Sequence, residues 1–208
     1  IAYSNIILNN VQFTENSAVL YRGGGLIVTE YSTATLNDLD FSENSGGGLI
    51  TYTYTNIEIY GITVEDHDNS GHSIFVGSRT NYYMTDFLIQ NNAENMNASG
   101  TYSFLIENGS ILNNSAYTGG GIFFYTAWDE SPLTIRNCII RSNTANLGGA
   151  IWLISDVILH IEDSEIIGNF AEYAGGGIHR SGDYNVHPGN MIISRSFIAD
   201  NWTNGCGG

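Results

Sequence analysis

Eight times along this chain an apolar residue is followed, three positions later, by asparagine or, once, by histidine. Phe13-Thr14-Glu15-Asn16 and Phe41-Ser42-Glu43-Asn44 are near copies. Ile89-Gln90-Asn91-Asn92, Ile111-Leu112-Asn113-Asn114, Ile140-Arg141-Ser142-Asn143, Ile166-Ile167-Gly168-Asn169 and Ile198-Ala199-Asp200-Asn201 repeat the pattern with isoleucine in front, and Val64-Glu65-Asp66-His67 places histidine at the anchor. Internal repetition at roughly 25 residues restricts the chain to solenoid-like or array architectures.

The columns upstream of the anchor say which one. Ten positions before it stand Ile6, Ala34, Ile57, Tyr82, Phe104, Leu133, Leu159 and Met191; eight before it stand Leu8, Leu36, Ile59, Met84, Ile106, Ile135, Ile161 and Ile193. A spacing of two is a strand with one buried face. The parity then shifts, because the next inward pair sits five and three before the anchor. A corner is therefore expected six to seven before it, where Asn10, Asp38, Gly61, Asp86, Asn108, Asn137, Asp163 and Arg195 are mostly turn formers. After the anchor, Gly23-Gly24-Gly25, Gly46-Gly47-Gly48, Gly119-Gly120-Gly121, Gly148-Gly149-Ala150 and Gly175-Gly176-Gly177 each lead into an apolar run. Gly71 and Gly100 read as degenerate copies of this corner.

Each unit thus reads strand, corner, strand, asparagine corner, glycine corner, strand. This predicts an all-β fold, a right-handed parallel β-helix of about eight rungs with three short strands each, in one domain spanning 1–208 and about 38 Å long at the usual strand spacing. The pattern lacks leucine-rich-repeat spacing, and no hairpin dipeptides join paired strands as a propeller requires. Stacked identical amides can hydrogen-bond along the axis. Asn16, Asn44, His67, Asn92, Asn114, Asn143, Asn169 and Asn201 are therefore expected to form a structural ladder, with His67 substituting for an amide. The run Ile1-Ala2-Tyr3 starts within a strand-like pattern and Gly205–Gly208 opens another glycine corner. The chain is accordingly expected to be a segment of a longer solenoid or filament, stacking end to end with another copy or with neighbouring rungs.

The paired Phe/Ile-x-x-Asn and Gly-Gly-Gly/Ala-Ile motifs, of which Gly148-Gly149-Ala150-Ile151 is the closest copy, resemble the repeat of the polymorphic outer-membrane proteins of chlamydiae over nearly the whole chain. That resemblance implies a surface-exposed adhesin or passenger on a β-helical scaffold.

Charge narrows the partners. The formal charge is −15, from 21 acidic and six basic residues, all six of them arginine. Nucleic acids and anionic membranes need a positive footprint, so neither is an expected partner. No apolar run approaches the ~20 residues of a membrane span. The setting expected is extracellular or at a cell surface.

Few residues suggest chemistry. A pectate-lyase-like site needs clustered carboxylates for calcium and a basic proton acceptor. Asp38, Asp40, Glu65, Asp66 and Asp68 on the second and third rungs are the candidates, with Arg79 near them. They are read first as solvated corner residues, so no catalytic residue and no cofactor is assigned, calcium being the one ion considered. Gly71-His72-Ser73 is only a partial match to the Gly-His-Gly of pectin hydrolases, which also carry an Arg-Ile-Lys that a chain without lysine lacks. His67, His72, His160, His179 and His187 show no paired metal-ligand spacing; His67 and His72 with Asp66 or Asp68 form the one metal combination worth testing. Thr51-Tyr52-Thr53-Tyr54-Thr55 is Thr-rich but does not recur from rung to rung, as an ice-binding face would. Cys138 is expected as a buried filler and Cys206 in a glycine corner two rungs on, about 9.6 Å away axially and too far for a bridge.

The function expected is a structural or adhesive module: shaft, surface filament subunit or adhesin passenger. The alternative is a polysaccharide-binding or polysaccharide-cleaving protein that uses loops 126–132 and 180–190 and the plentiful Tyr and Trp, with surface glycans as partners.

Four Asn-x-Ser/Thr sequons occur, at Asn97, Asn108, Asn113 and Asn201. Asn97 is read as lying in a long loop, Asn108 in an outward corner and Asn113 beside the ladder, whereas Asn201 is itself a ladder amide. Expression in a eukaryotic secretory host should therefore place glycans at Asn97, Asn108 and Asn113 and leave Asn201 bare. A glycopeptide map with Asn201 fully occupied would overturn the inward placement of the ladder.

Overall fold

The computed structural model describes residues 3–18, 24–68, 71–126, 131–155, 157–182 and 189–207. The chain winds as a parallel β-solenoid with three faces, and the described residues contain no helix. The first face is a 12-stranded parallel sheet. Its layers are Asn5–Thr14, Thr33–Ser42, Asn56–Glu65 and Asn81–Gln90, then the pairs Ser103–Glu107 with Ser110–Leu112, Pro132–Arg136 with Ile139–Arg141, Ile158–Glu162 with Glu165–Ile167, and Met191–Ser194 with Phe197–Ala199. Every layer pairs in register with the next, so Leu36 lies over Leu8, Ile59 over Leu36 and Met84 over Ile59. The second face is a 7-stranded sheet running from Leu26–Val28 to Ile178–Ser181.

The third face departs from the expected three strands per rung. Among the described residues it holds only Thr144–Leu147, Phe170–Ala174 and Trp202–Thr203; earlier turns contribute isolated bridges such as Ser17↔Ser45 and Ser115↔Thr144. Chain length explains this for the second turn. In the second turn only Ser45 separates Asn44 from Gly46, which leaves no residues for a strand.

Two corners are made without relying on glycine. The residues six before each anchor all adopt φ between 47° and 75°, and those one before it, from Glu15 to Asp200, lie between 52° and 64°. Only Gly61 and Gly168 among these sixteen are glycine. Left-handed backbone costs a side-chain-bearing residue about 1–2 kcal/mol, least for Asn and Asp. At both corners the backbone N–H continues the interlayer ladder: Asn108 donates to Arg136, Asp163 to Ser194, Glu43 to Glu65 and Asn113 to Arg141. The strain is thus offset by the continuous pairing on either side.

Inside, the apolar columns form one core. Phe41, Tyr82, Phe104 and Phe124 are fully buried, with Phe13 stacked on Phe41 at 4.7 Å and Tyr82 on Phe104 at 4.8 Å. The column five before the anchor changes character partway. It runs Val11, Leu39, Ile62, Phe87, then Gly109, Cys138, Ser164 and Ser196. The Phe87 ring occupies the space a Cβ on Gly109 would need, and from that layer on the single ten-residue strand splits in two. Beyond it, the Cys138 and Ser164 N–H groups donate to Ser164 Oγ and Ser196 Oγ, each at 3.1 Å, forming a short hydroxyl ladder.

The asparagine column carries the densest bonding. Asn114 N–H and its side-chain amide both donate to Asn143 Oδ1, at 3.0 and 3.1 Å, and the Asn143 amide donates to Asn169 Oδ1 and to the Ile111 carbonyl, both at 3.0 Å. The same arrangement links Asn92 to Asn114, Asn143 to Asn169 and Asn169 to Asn201. Asn16 donates to Asn44 in the same way. Asn44, Asn92, Asn114, Asn143 and Asn169 are buried.

Removing one such amide orphans buried donors above it and a carbonyl beside it, at about 1–3 kcal/mol for each unsatisfied group. Asn143→Ala should therefore lower unfolding free energy by about 3 kcal/mol or more in chemical denaturation. The exposed amide pair Asn137–Asn108 (2.8 Å) provides the contrast: Asn137→Ala should cost less than about 1 kcal/mol, since its partners remain solvated.

Candidate functional site

The bend at the left-handed corner of the first face bears an open cleft on its outer side. Asp38, Asp40, Gly61, Thr63, Glu65 and Asp86 line it together with Leu39, Ile62, Phe87 and Leu88. Phe87 leads into a second cleft lined by Asn108, Gly109, Ser110, Asn137, Cys138, Ile139, Asp163 and Glu165. Asp38 leans over Gly61, where its carboxylate oxygen would lie 2.7 Å from an added Cβ. One Asp40 carboxylate oxygen is buried with no hydrogen-bond partner. No arginine or histidine lines either cleft.

Three of the five carboxylates singled out from sequence, Asp38, Asp40 and Glu65, are thus brought together, with Asp86 added. Asp66 and Asp68 lie outside this cleft, Asp66 at the next corner and Asp68 just past His67. Arg79 is not near the carboxylates. Its guanidinium sits 5.0 Å from the Tyr54 ring and donates to the Tyr54 hydroxyl at a different corner, ending an exposed stack of Tyr3, Tyr31 and Tyr54. His72 also turns away from His67: its Nδ1 is 3.9 Å from Glu94 and its Nε2 is 3.3 Å from the Asn97 amide. Among the described residues no three His, Cys, Asp or Glu side chains are placed to hold a metal ion. The cleft therefore presents carboxylates without a cationic partner, an arrangement suited to hydrogen-bonding hydroxyls or amines.

Above the second cleft runs a ladder of opposite charges. Tyr83 donates to Glu107 (2.7 Å), Arg136 bridges Glu107 and Glu162 (3.2 Å each), and Arg195 bonds both Glu162 and Asp163. Hydrogen bonds from Arg195, and for Glu162 also from Arg136, hold the Glu162 and Asp163 carboxyls below their ordinary range. Groups shifted in this sense add stability above the ordinary carboxylate pKa and lose it as pH falls through the lowered value. Solvent access to both carboxylates keeps the contribution small.

The outward side of the second sheet is the feature that sequence reading passed over. Phe75, Asn97, Phe123, Trp152 and His179 stand in register on consecutive strands, with Phe123 and Trp152 rings 4.9 Å apart and His72 stacked on Phe75. The signal was present: each is the second residue of the run after the glycine corner, and aligning that position reveals the aromatic column. Asn97 consequently lies on the strand Met96–Ser99, not in a long loop. Gly100 likewise follows that strand, bonding Arg79 and Tyr125, and the glycine-corner column is filled there by Asn95.

The remaining candidates are placed as follows. Asn108 and Asn113 are exposed at left-handed corners, and the Asn201 amide donates to the Ile166 carbonyl. His160 is exposed on the first face, and burial lowers the His179 pKa. Loops 126–132 and 180–190 fall largely outside the described residues, as does His187. Cys138 and Cys206 are both free, one buried and one exposed.

A family model described as the right-handed β-helix region matches residues 24–188, and the chain belongs to that family. Right-handed winding, parallel strands and repeated rungs define its class. No curated protein and no solved structure matches the chain significantly.

The two thiols should differ sharply. Burial pushes the Cys138 thiol up to about 11, and thiolate is the reactive form. At pH 8 an aromatic disulfide reagent should modify one thiol per native chain. Cys206→Ser should abolish that reaction, and the second thiol should appear only on denaturation.

Proposed function

We propose that this chain is a structural or adhesive module of an extracellular or cell-surface protein. The observation that carries this reading is that its recurring polar side chains are spent on partners one layer away. The asparagine amides, the Asn37–Asn9 and Asn81–Asn56 pairs and the Glu107–Arg136–Glu162 bridges all run along the axis. Such bonding produces a stiff support and leaves few groups converging on one reacting centre. In this reading the inward side chains that the last layer exposes, Met191, Ile193 and Ile198, are covered by a further layer, either of the same polypeptide or of a second copy.

A second reading is favoured by one specific arrangement, the acidic cleft on one side and the aromatic column on another. Carboxylates that accept from hydroxyls and rings that stack on sugar faces make a polysaccharide-binding or -cleaving surface the alternative.

Incubation with a panel of plant, bacterial and animal polysaccharides, read by reducing ends and by absorbance of unsaturated products, separates the two. The structural reading expects no product and surface attachment of chain-coated beads that persists in Asp38→Asn/Asp86→Asn. Product formation abolished by that double substitution would establish the alternative.

A further inference from the structure

His67 is the one non-amide in the ladder column. It is 3% exposed, and neither ring nitrogen has a hydrogen-bond partner, although the Glu65 carbonyl lies nearby. Toward the following layer it behaves like the other anchors, its N–H donating to Asn92 Oδ1 at 3.2 Å and its carbonyl accepting from Ala93. Toward the preceding layer the pattern stops. An asparagine here would accept from Asn44 twice and donate to the Phe41 carbonyl, as its counterparts do. The imidazole instead packs against Gly48, whose added Cβ would lie 2.7 Å from Nε2. At the corresponding place two turns beyond Asn92's layer the chain accommodates Ala150, opposite an asparagine.

We propose that His67 is an acid-operated joint between the second and third layers: neutral, it stays packed in the ladder column against Gly48; charged, it leaves the column and frees the corner at residues 43–48 from the corner at 65–68.

The charged groups that act on it are Asp68 and Asp66 on its own segment; Glu43 stands at the corner of the layer before, the Glu65 carboxylate is held by Gln90, and Glu94 and His72 face each other. Burial opposes the proton on His67 more strongly than the Glu65 carbonyl, Asp68 and Asp66 favour it, so its pKa lies below the usual 6.5. The sign follows. Above the unfolded value both states are neutral and the joint is closed. As pH falls through 6.5 the unfolded or opened state takes up protons first, and the closed state loses ground until the pH passes the lowered value. Burial raises the Glu94 pKa, and protonated His72, 3.9 Å from Glu94, gains attraction to its carboxylate, so protonating His72 tightens that contact and does not open this joint.

Hydrogen–deuterium exchange on the whole chain, corrected for intrinsic rates, tests this at pH 7.5 and 5.0. Opening of the 43–48 corner should rise about tenfold for each pH unit between the two pKa values, while the 142–148 corner stays constant. His67→Asn restores the amide pattern and should abolish the rise. Equal acid sensitivity in His67→Asn, or none in the native chain, overturns the proposal. Titration of the native His67 ring by NMR gives an independent reading: a midpoint below 6.5 that coincides with altered Asn44 and Gly48 amide signals supports it, and a midpoint at or above 6.5 overturns it.

Discussion

In-register parallel pairing sets every residue about 4.8 Å from its counterpart in the next layer, and this spacing decides which side chains each column tolerates. Apolar residues tolerate being stacked on their own kind, so the inward columns are mostly Ile, Leu, Val and Phe, with Ala34, Tyr82 and Met84 among them. Amides gain from it, because each offers both an acceptor and donors along the axis. Aromatic rings stack, as Phe13 does on Phe41 and Tyr31 on Tyr54. Carboxylates repel at this distance. At the corner column Gly61 separates Asp38 from Asp86, and farther along Arg136 separates Glu107 from Glu162. The exception is Glu15, Glu43 and Asp66, in three consecutive layers one position before the anchor, next to the only histidine of the ladder.

The same constraint distributes the charge. Arg136, Arg141 and Arg195 are paired with Glu107, Glu162, Asp163 and Glu165 in the later layers. The earlier layers carry their carboxylates largely without arginine, and that is where the acidic cleft lies. Residues 1–104 carry eleven acidic and two basic residues against ten and four in residues 105–208, so the net charge of −15 leans modestly toward the earlier layers.

The sequence made the scaffold legible because its columns report burial directly: parity located the corner where φ turns positive, and the Phe/Ile-x-x-Asn anchor located the ladder. Strand count on the third face was not legible: Asn114 and Gly119 are spaced like Asn143 and Gly148, yet only the second pair encloses a strand, the first forming isolated bridges. The cleft was half legible. Asp38, Asp40 and Glu65 share layers and were grouped from spacing, but Asp86 enters from the next layer, and Arg79 leaves for Tyr54 because its corner points elsewhere. The Phe75–Phe123–Trp152 column was missed because outward positions were compared for charge and not for ring content.

The exchange of Phe87 over Gly109 has a consequence for how the chain finds its one arrangement. Interchangeable turns would let the polypeptide close with a turn omitted, since each would bury the same columns and complete the same amides. Omitting the turn at Gly109 would set the Phe87 ring against the Cys138 side chain instead of the bare Gly109 backbone it packs on. Omitting the turn of Arg136 would bring Glu107 against Glu162. These unrepeated residues number the turns, so that each can dock only on its own predecessor.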